Sequence, residues 1–425
     1  MNLSEDICLN TKVWPKLVDH YTLSASGALT NTKSESQDLY ISNSSGLGNA
    51  IGDTTIDRKW VYAKGEDTYV LFDTNAEGKF DTGILKHHLL TGVNLRNKKV
   101  KFIRNFQDNA DAVGQNTINA YDPNDQTYTA MDDSLKDGNY NTTEDNEINL
   151  YLKDRVSLGD FTLALGVGYT RYKGEETSSS DDNYDQDLSN FIYDAGIVYK
   201  LTQDVNLFAS YSQGFEPIDT STLAQYGQDG VSYEPEESDN YEVGFKGDFF
   251  DSKLSTSVTL FYINTQNQTS YETIAGERAL IQDLGESFKS KGVEINALWH
   301  VTDQISSQIS YAYTDASDTS GEDKGKQGDY VPYNSLSIWN SYRMESEPVR
   351  FALGMRAESD SNDGDYNVPG YAEFDFGVYY ELDQWDVSMV VRNMFDKSRV
   401  ASTPNWLLAE ANDPRSINLN FKYRL

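Results

Sequence analysis

Few residues in this chain are equipped for metal or nucleophile chemistry: His20, His87, His88, His300 and the single cysteine, Cys8. None of the histidines stands at a metal-ligand or triad spacing. The adjacent pair His87-His88 puts one ring on each face of a strand, which reads as girdle or lumen residues rather than a metal site. A lone cysteine excludes an internal disulfide framework and any multi-cysteine metal centre. The run Asp360-Ser-Asn-Asp-Gly-Asp365 imitates the start of a calcium loop. The twelfth position, where a bidentate Glu is needed, is Tyr371, so the run reads as a solvated acidic loop. With no acid–base or Ser–His pair in view, the chain is read as a non-enzyme without a resident cofactor or metal. The better candidates are binding residues. Tyr226, Tyr233, Tyr271, Tyr366 and Trp406 lie among polar neighbours in long loops, where a flat amphipathic ring gives contact area at low entropic cost. Arg278 and Arg399 are the loop cations able to meet an anionic group.

These residues need a frame, and the pattern that supplies one repeats along most of the chain. At the end, Ile417, Leu419, Phe421, Tyr423 and Leu425 fall on one face of a strand, with Ser416, Asn418, Asn420, Lys422 and Arg424 on the other. Phe161, Leu163, Leu165, Val167 and Tyr169 alternate the same way, as do Ala372, Phe374, Phe376, Val378 and Tyr380. Charged residues such as Glu373 and Asp375 occupy the opposite face, which implies a wet or polar-filled interior. The predicted strands pair across short turns, for example Leu158-Gly159-Asp160 and Asp383-Gln384. Between these pairs stand long polar loops: 107–146, 173–190, 214–240, 265–289, 314–332, 358–369 and 396–414. Short turns at one end and long loops at the other are the plan of an outer-membrane barrel, not of a soluble sandwich. The fold class is therefore all-β, a transmembrane antiparallel β-barrel meander, with about sixteen strands visible of a larger barrel. Upstream, residues 20–30 and 33–41 read as separate strands, as do 57–63 and 68–72. Residues 1–16 are an uncharacterised leader, and 17–425 one barrel domain.

Composition agrees. No run of about eighteen apolar residues exists, so a transmembrane helix is excluded while a barrel is not. Tyrosine is abundant, 29 against 18 Phe and 6 Trp, as suits aromatic girdles. The net charge of -32 argues against nucleic acid as a partner. The first residues show neither a basic n-region nor an apolar h-region, so they are not a secretory signal.

From about Glu147 onward the chain resembles the TonB-dependent outer-membrane receptors, and among them the ferric-siderophore receptors. The likeness is carried by Tyr211-Ser-Gln-Gly-Phe-Glu-Pro217, Pro235-Glu-Glu-Ser-Asp-Asn-Tyr-Glu-Val-Gly-Phe-Lys-Gly247, Leu260-Phe-Tyr-Ile-Asn264 and Ser290-Lys-Gly-Val-Glu-Ile-Asn296. It continues through Val331-Pro-Tyr-Asn334, Val368-Pro-Gly-Tyr371, Val391-Arg-Asn-Met-Phe-Asp-Lys397 and the closing strand after Pro414. The order and spacing of these pieces make the match specific. Leu89-Leu-Thr-Gly-Val93 extends it upstream.

The resemblance implies location in the outer membrane of a Gram-negative bacterium, amid lipid and lipopolysaccharide. It implies capture of a ferric siderophore at the extracellular loops, and TonB-energised uptake in the complete protein. The plug domain through which the family meets the TonB complex has no counterpart here, so the chain resembles the C-terminal barrel portion. Under this reading the loop tyrosines, Trp406 and Arg278 are candidate contacts for a bulky iron chelate. The acidic loops favour a neutral or cationic hydroxamate chelate over an anionic catecholate. Two alternatives stand beside this reading. One is a passive porin-type channel. The other is a receptor of the same family for haem or cobalamin; the boxes of the haem receptors are absent, the chain reading Gln213-Gly-Phe-Glu-Pro217 instead.

Overall fold

The computed structural model describes residues 9–13, 16–18, 21–41, 55–107, 117–119, 124, 126–127, 129–137, 140–178, 183–228, 230–282, 284–320, 324–364, 366–405 and 408–424. Cys8, His20 and Trp406 lie outside them.

Sixteen long strands and four short pieces form one antiparallel sheet. The long strands are β1 Tyr21–Ile41, β2 Thr55–Thr82, β3 Leu85–Phe106, β4 Tyr140–Leu158, β5 Phe161–Ser178 and β6 Tyr184–Lys200. They continue with β7 Val205–Glu216, β8 Glu236–Phe249, β9 Leu254–Gln266, β10 Glu286–His300 and β11 Ile305–Asp318. The last are β12 Asn334–Arg343, β13 Val349–Glu358, β14 Tyr371–Glu381, β15 Trp385–Arg392 and β16 Ser416–Tyr423. Each pairs with its neighbour in sequence, so the sheet is a pure meander. Two short strands, Leu9–Val13 and Lys16–Val18, lie against the free side of β1. Among the described residues β16 pairs with β15 alone.

The predicted hairpins hold. Gly159, at φ 56°, lets β4 and β5 close through two residues, since a left-handed conformation carries no steric penalty without a Cβ. Phe250, Asp251 and Ser252, all at positive φ, turn β8 into β9. The upstream strands differ from expectation. Residues 20–30 and 33–41 are one strand, and 57–63 and 68–72 both belong to the 28-residue β2. The predicted loop 173–190 is mostly strand as well, since β5 runs to Ser178 and β6 starts at Tyr184. In these tips both faces are polar, so the apolar alternation that marks a strand disappears although the hydrogen-bonded ladder continues.

Facing follows from the register. Ile417, Val391, Phe376 and Leu353 stand opposite one another across β16, β15, β14 and β13. They lie on the outer side, where Ile417 is 63% exposed. Asn206, Lys246, Ser257, Asn296 and Ser310 make a row on the other side, across β7 to β11. The inner face also holds ion pairs: Lys153 with Asp194 at 3.0 Å, and Arg356 with Glu373 at 2.7 Å and Asp375 at 3.4 Å. Among the described residues only eight apolar side chains are buried, too few for the packed layer that a sandwich needs. The apolar surface faces outward instead, as lipid requires.

Aromatic pairs bound this apolar band. Phe161 stacks on Tyr199 (4.7 Å) and Trp385 packs on Tyr423 (4.7 Å) near the short turns. Tyr169 meets Phe191 (5.0 Å) and Tyr211 meets Tyr241 (5.0 Å) toward the long loops. Phe161 to Tyr169 covers the length, about nine to eleven residues, at which a tilted strand crosses the hydrocarbon core.

Candidate ligand-binding site in the long loops

The loop between β7 and β8 does not stay outside. It contains a short helix, α1 Thr220–Tyr226, capped by Asp219, whose carboxylate accepts from the N–H of Ser221 (3.0 Å) and Thr222 (3.2 Å). The helix lies on the inner face of β4, β5 and β6, above the apolar band. Thr220 is fully buried there. Its hydroxyl donates to Asp145 (3.3 Å), accepts from the Gln186 amide (2.8 Å) and lies 3.0 Å from the Tyr172 hydroxyl. Tyr172 itself donates to Asp145 at 2.5 Å, and Gln186 also donates to the Ile218 carbonyl (2.9 Å). Leaving one such buried group unpaired would cost about 1–3 kcal/mol, so the network fixes where α1 sits. Gly174 leaves room for it: a Cβ there would come within 2.0 Å of the Thr220 hydroxyl.

Buried acids surround this anchor. Glu176 accepts from the Thr143 hydroxyl (2.7 Å) and is 3% exposed. Burial pushes its carboxyl above the ordinary value, and the nearby Asp219 and Asp145 push the same way. Burial and the Asp145 contact likewise push the Tyr172 phenol up.

The loop between β9 and β10 forms a hairpin, Thr269–Ile274 with Glu277–Gln282. Ala275 and Gly276, both at positive φ, make its two-residue turn. Leu280 of the hairpin, fully buried, packs with Leu223 of α1 and Tyr233, and Tyr184, Ile218 and Tyr226 rest against that cluster. Polar staples reinforce it. Tyr233 donates to the Leu280 carbonyl (3.0 Å) and accepts from the Gln228 N–H (3.0 Å). Gln282 donates to the carbonyls of Glu234 (2.7 Å) and Asn267 (2.8 Å).

On this platform three of the candidate residues meet. Tyr226 and Tyr271 pack edge to face at 5.2 Å. The Arg278 guanidinium sits 3.8 Å from the Tyr271 ring centre and 5.4 Å from that of Tyr226. Among the described residues Arg278 makes no ion pair, so its N–H fork is held by ring faces rather than by a carboxylate. The cluster offers two aromatic surfaces and a planar set of donors, able to grip a ligand that is partly flat and rich in oxygen acceptors.

The other candidates lie elsewhere. Tyr233 is buried beneath the cluster and supports it. Tyr366 is 78% exposed, on a separate small hairpin of Ser361–Asp363 with Tyr366–Val368. Arg399 stacks on Tyr371 at 4.0 Å. The two histidines do divide between faces: His87 bonds Asp154 and Thr82, both at 2.7 Å, on the outside, whereas His88 meets Glu77 and Arg155 on the inside. The α1 anchor escaped sequence reading. Its one local signal was Asp219 followed by Thr-Ser-Thr-Leu, an N-cap before a short helix; its partners Asp145, Tyr172 and Gln186 are far away in sequence.

An outward-apolar meander whose loop folds back onto the inner wall defines a receptor-type membrane β-barrel. Residues 12–394 match the family described as TonB dependent receptor-like, beta-barrel, and the chain belongs to that family. It is 25% identical over 369 residues to the ferrioxamine B receptor of Salmonella typhimurium, covering 83% of this chain and 50% of that protein. To the ferrichrome outer membrane transporter/phage receptor of Escherichia coli K12 it is 27% identical over 351 residues, covering 78% and 45%. Among solved structures it is similar to the siderophore receptor PiuA of Acinetobacter baumannii, with a TM-score of 0.77, 20% identity and coverage of 97% and 63%. It is also similar to the ferric-catecholate import receptor Fiu of E. coli K12, with a TM-score of 0.78, 18% identity and the same coverage. The chain spans about half the length of the curated relatives it matches.

Proposed function

We propose that this chain is the barrel of a bacterial outer-membrane receptor for a ferric siderophore. The chelate binds at the long-loop end, and uptake is energised through TonB in the complete protein. The observation that carries this reading is the Tyr226–Arg278–Tyr271 stack, held on loops that are folded onto the inner wall. A passive channel gains nothing from ordering two long loops around a guanidinium that makes no ion pair among the described residues, whereas a receptor needs a preformed, rigid grip. The names of the relatives support iron-chelate cargo. They leave its class open, since those of the similar proteins include ferrioxamine B, ferrichrome and ferric catecholate.

We assign the first contact to Tyr226, Tyr271 and Arg278, and keep the hydroxamate class as the favoured cargo. Hydroxamate oxygens suit the guanidinium fork, and a neutral or cationic chelate is not repelled by acidic loops. The test is binding of a ferric trihydroxamate and a ferric tris-catecholate to the protein that carries this barrel. Arg278→Ala should weaken the preferred chelate by roughly 10- to 100-fold, the equivalent of a charged hydrogen bond at about 1.5–3 kcal/mol. Unchanged affinity for every chelate would remove the cluster from the site. Tighter binding of the catecholate at low salt would overturn the class.

A further inference from the structure

The inner wall is not uniform, and one stretch of it follows the slant of the strands. The inward row Lys246, Ser257, Asn296, Ser310, Ser337 and Arg356 crosses β8 to β13. Counted from the short turns, this row climbs. Lys246 stands three residues from the end of β8 at Phe249, Ser310 five from the start of β11 at Ile305, and Arg356 seven from the start of β13 at Val349. At about 3.3 Å per residue the row gains roughly 13 Å along the strands. Between its two cationic ends it holds only hydroxyls and one amide. Among the described residues of the rows directly above and below it on β9–β12, Glu294 alone is charged.

Short side chains leave room over this row. A hollow of about 500 Å³ is lined by Lys246, Ser257, Asn296 and Ser310, and one of about 330 Å³ by Asn296, Ser310, Ser337 and Arg356. They share Asn296 and Ser310, so together they form a trough. The large inward rings beside it do not cross it. A Cβ on Gly292 would come within 2.8 Å of the Phe261 ring, and one on Gly354 within 2.5 Å of the Trp339 ring, so both rings lie along the wall over a neighbouring glycine. The inner wall of β2–β6 is the contrast. There Lys153 meets Asp194 (3.0 Å), Arg96 pairs with Glu147 and His88 with Glu77, and α1 covers the upper part of β4–β6.

Such a surface suits passage rather than retention. A hydrogen bond between neutral groups has roughly half the strength of one to a charged group, and movement past a series of sites needs each to be weak enough to leave. We propose that this trough is the wall along which the chelate travels from the loop site toward the short-turn end, trading hydrogen bonds with Ser337, Ser310, Asn296 and Ser257 in turn. The hairpin that bears Tyr271 and Arg278 joins the long-loop ends of β9 and β10, the strands of Ser257 and Asn296, so the loop site and the trough stand on the same two strands. Arg356 does not trap an anion at the upper end, because Glu373 and Asp375 neutralise it. The inference rests on the chelate-receptor reading and deepens it by assigning the path to one side of the barrel.

Binding and uptake of a labelled ferric trihydroxamate by cells carrying the complete protein test it. Ser310→Trp fills the trough where the two hollows join. Ala164→Trp puts the same bulk on the inner face of β5, beside Arg155. Both variants should bind the chelate as the native protein does. Uptake at saturating chelate should slow at least about tenfold in Ser310→Trp, the cost of one or two hydrogen-bond exchanges that can no longer be made, and stay within about twofold of native in Ala164→Trp. Equal uptake by the two variants with binding intact overturns the path and leaves the receptor reading standing. A native protein that binds no chelate removes the receptor reading and the path with it. A trihydroxamate bearing a photoreactive group asks the same question of the unaltered protein. During energised uptake its label should fall on residues 254–343, and label concentrated on residues 140–200 overturns the proposal whether or not either variant folds.

Discussion

Two arginines show how one residue type divides its work here. Arg356 is tied to Glu373 and Asp375 on the inner wall and is neutralised in place. Arg278 is flanked by rings, which stabilise its charge without consuming its donors. Glu176 is the acidic counterpart, a carboxyl kept from water among other acids. Because burial raises its folded pKa, the folded state holds its proton more tightly than the unfolded chain does. The contribution is then fully present below the ordinary carboxylate pKa and is lost as pH rises through the raised folded value. Glu176→Gln keeps an acceptor for the Thr143 hydroxyl and removes the charge. The variant should melt higher than the native protein at pH 8 in detergent, with the difference vanishing near pH 4. A native protein that melts higher at pH 8 would show that Glu176 serves as a needed anion, for example against a cation.

At the scale of elements, legibility followed periodicity. Wherever a strand crosses the apolar band its two faces differ, and β5, β14 and β16 could be assigned residue by residue. Above the band the rule loses its input: Arg171, Lys173 and Glu175 face outward as Tyr172 and Glu176 face inward, and no polarity contrast remains. The candidate site was legible only as a list of aromatic and cationic loop residues. Tyr226, Tyr271 and Arg278 meet because Leu223 and Leu280 pack together, a contact between loops that sequence spacing does not encode. The facing itself can be tested on β14. Phe376 lies in the outer row near the middle of the band, so Phe376→Arg should destabilise the barrel in liposomes by about 2–4 kcal/mol. Ser257 faces the interior beside Lys246, and Ser257→Arg should change stability far less. Denaturant titration of the two variants in parallel gives the answer, and the reverse ranking would exchange inside and outside.

For the whole molecule, the uneven height of the wall matters. β1 to β6 rise well past the aromatic girdle, while β12 to β16 are mostly ten residues or fewer, so the acidic residues of the long strands' tips stand higher than those of the loops joining the short strands. The sequence counts them all alike, but the structure does not. Glu175 faces outward against Lys173, Glu176 is buried, and Asp187 is engaged by Arg171. Burial and Glu216 push the Glu236 carboxyl up, weakening its share of the field. What remains of the -32 charge still repels anions over about 30 Å at 10 mM salt but over only ~8 Å at 150 mM. Arg278 brings one positive charge to the final contact, where its neighbours on the rings are uncharged, so approach past the acidic loops and contact at the guanidinium respond to salt in opposite directions. If the approach dominates, a ferric chelate with net negative charge should associate faster as salt is raised from 10 to about 150 mM, and a neutral trihydroxamate should not change. Stopped-flow association at several ionic strengths separates the two. An anionic chelate whose association slows with added salt would mean that the cation at the cluster outweighs the acidic rim, and the preference for hydroxamates would fall with it.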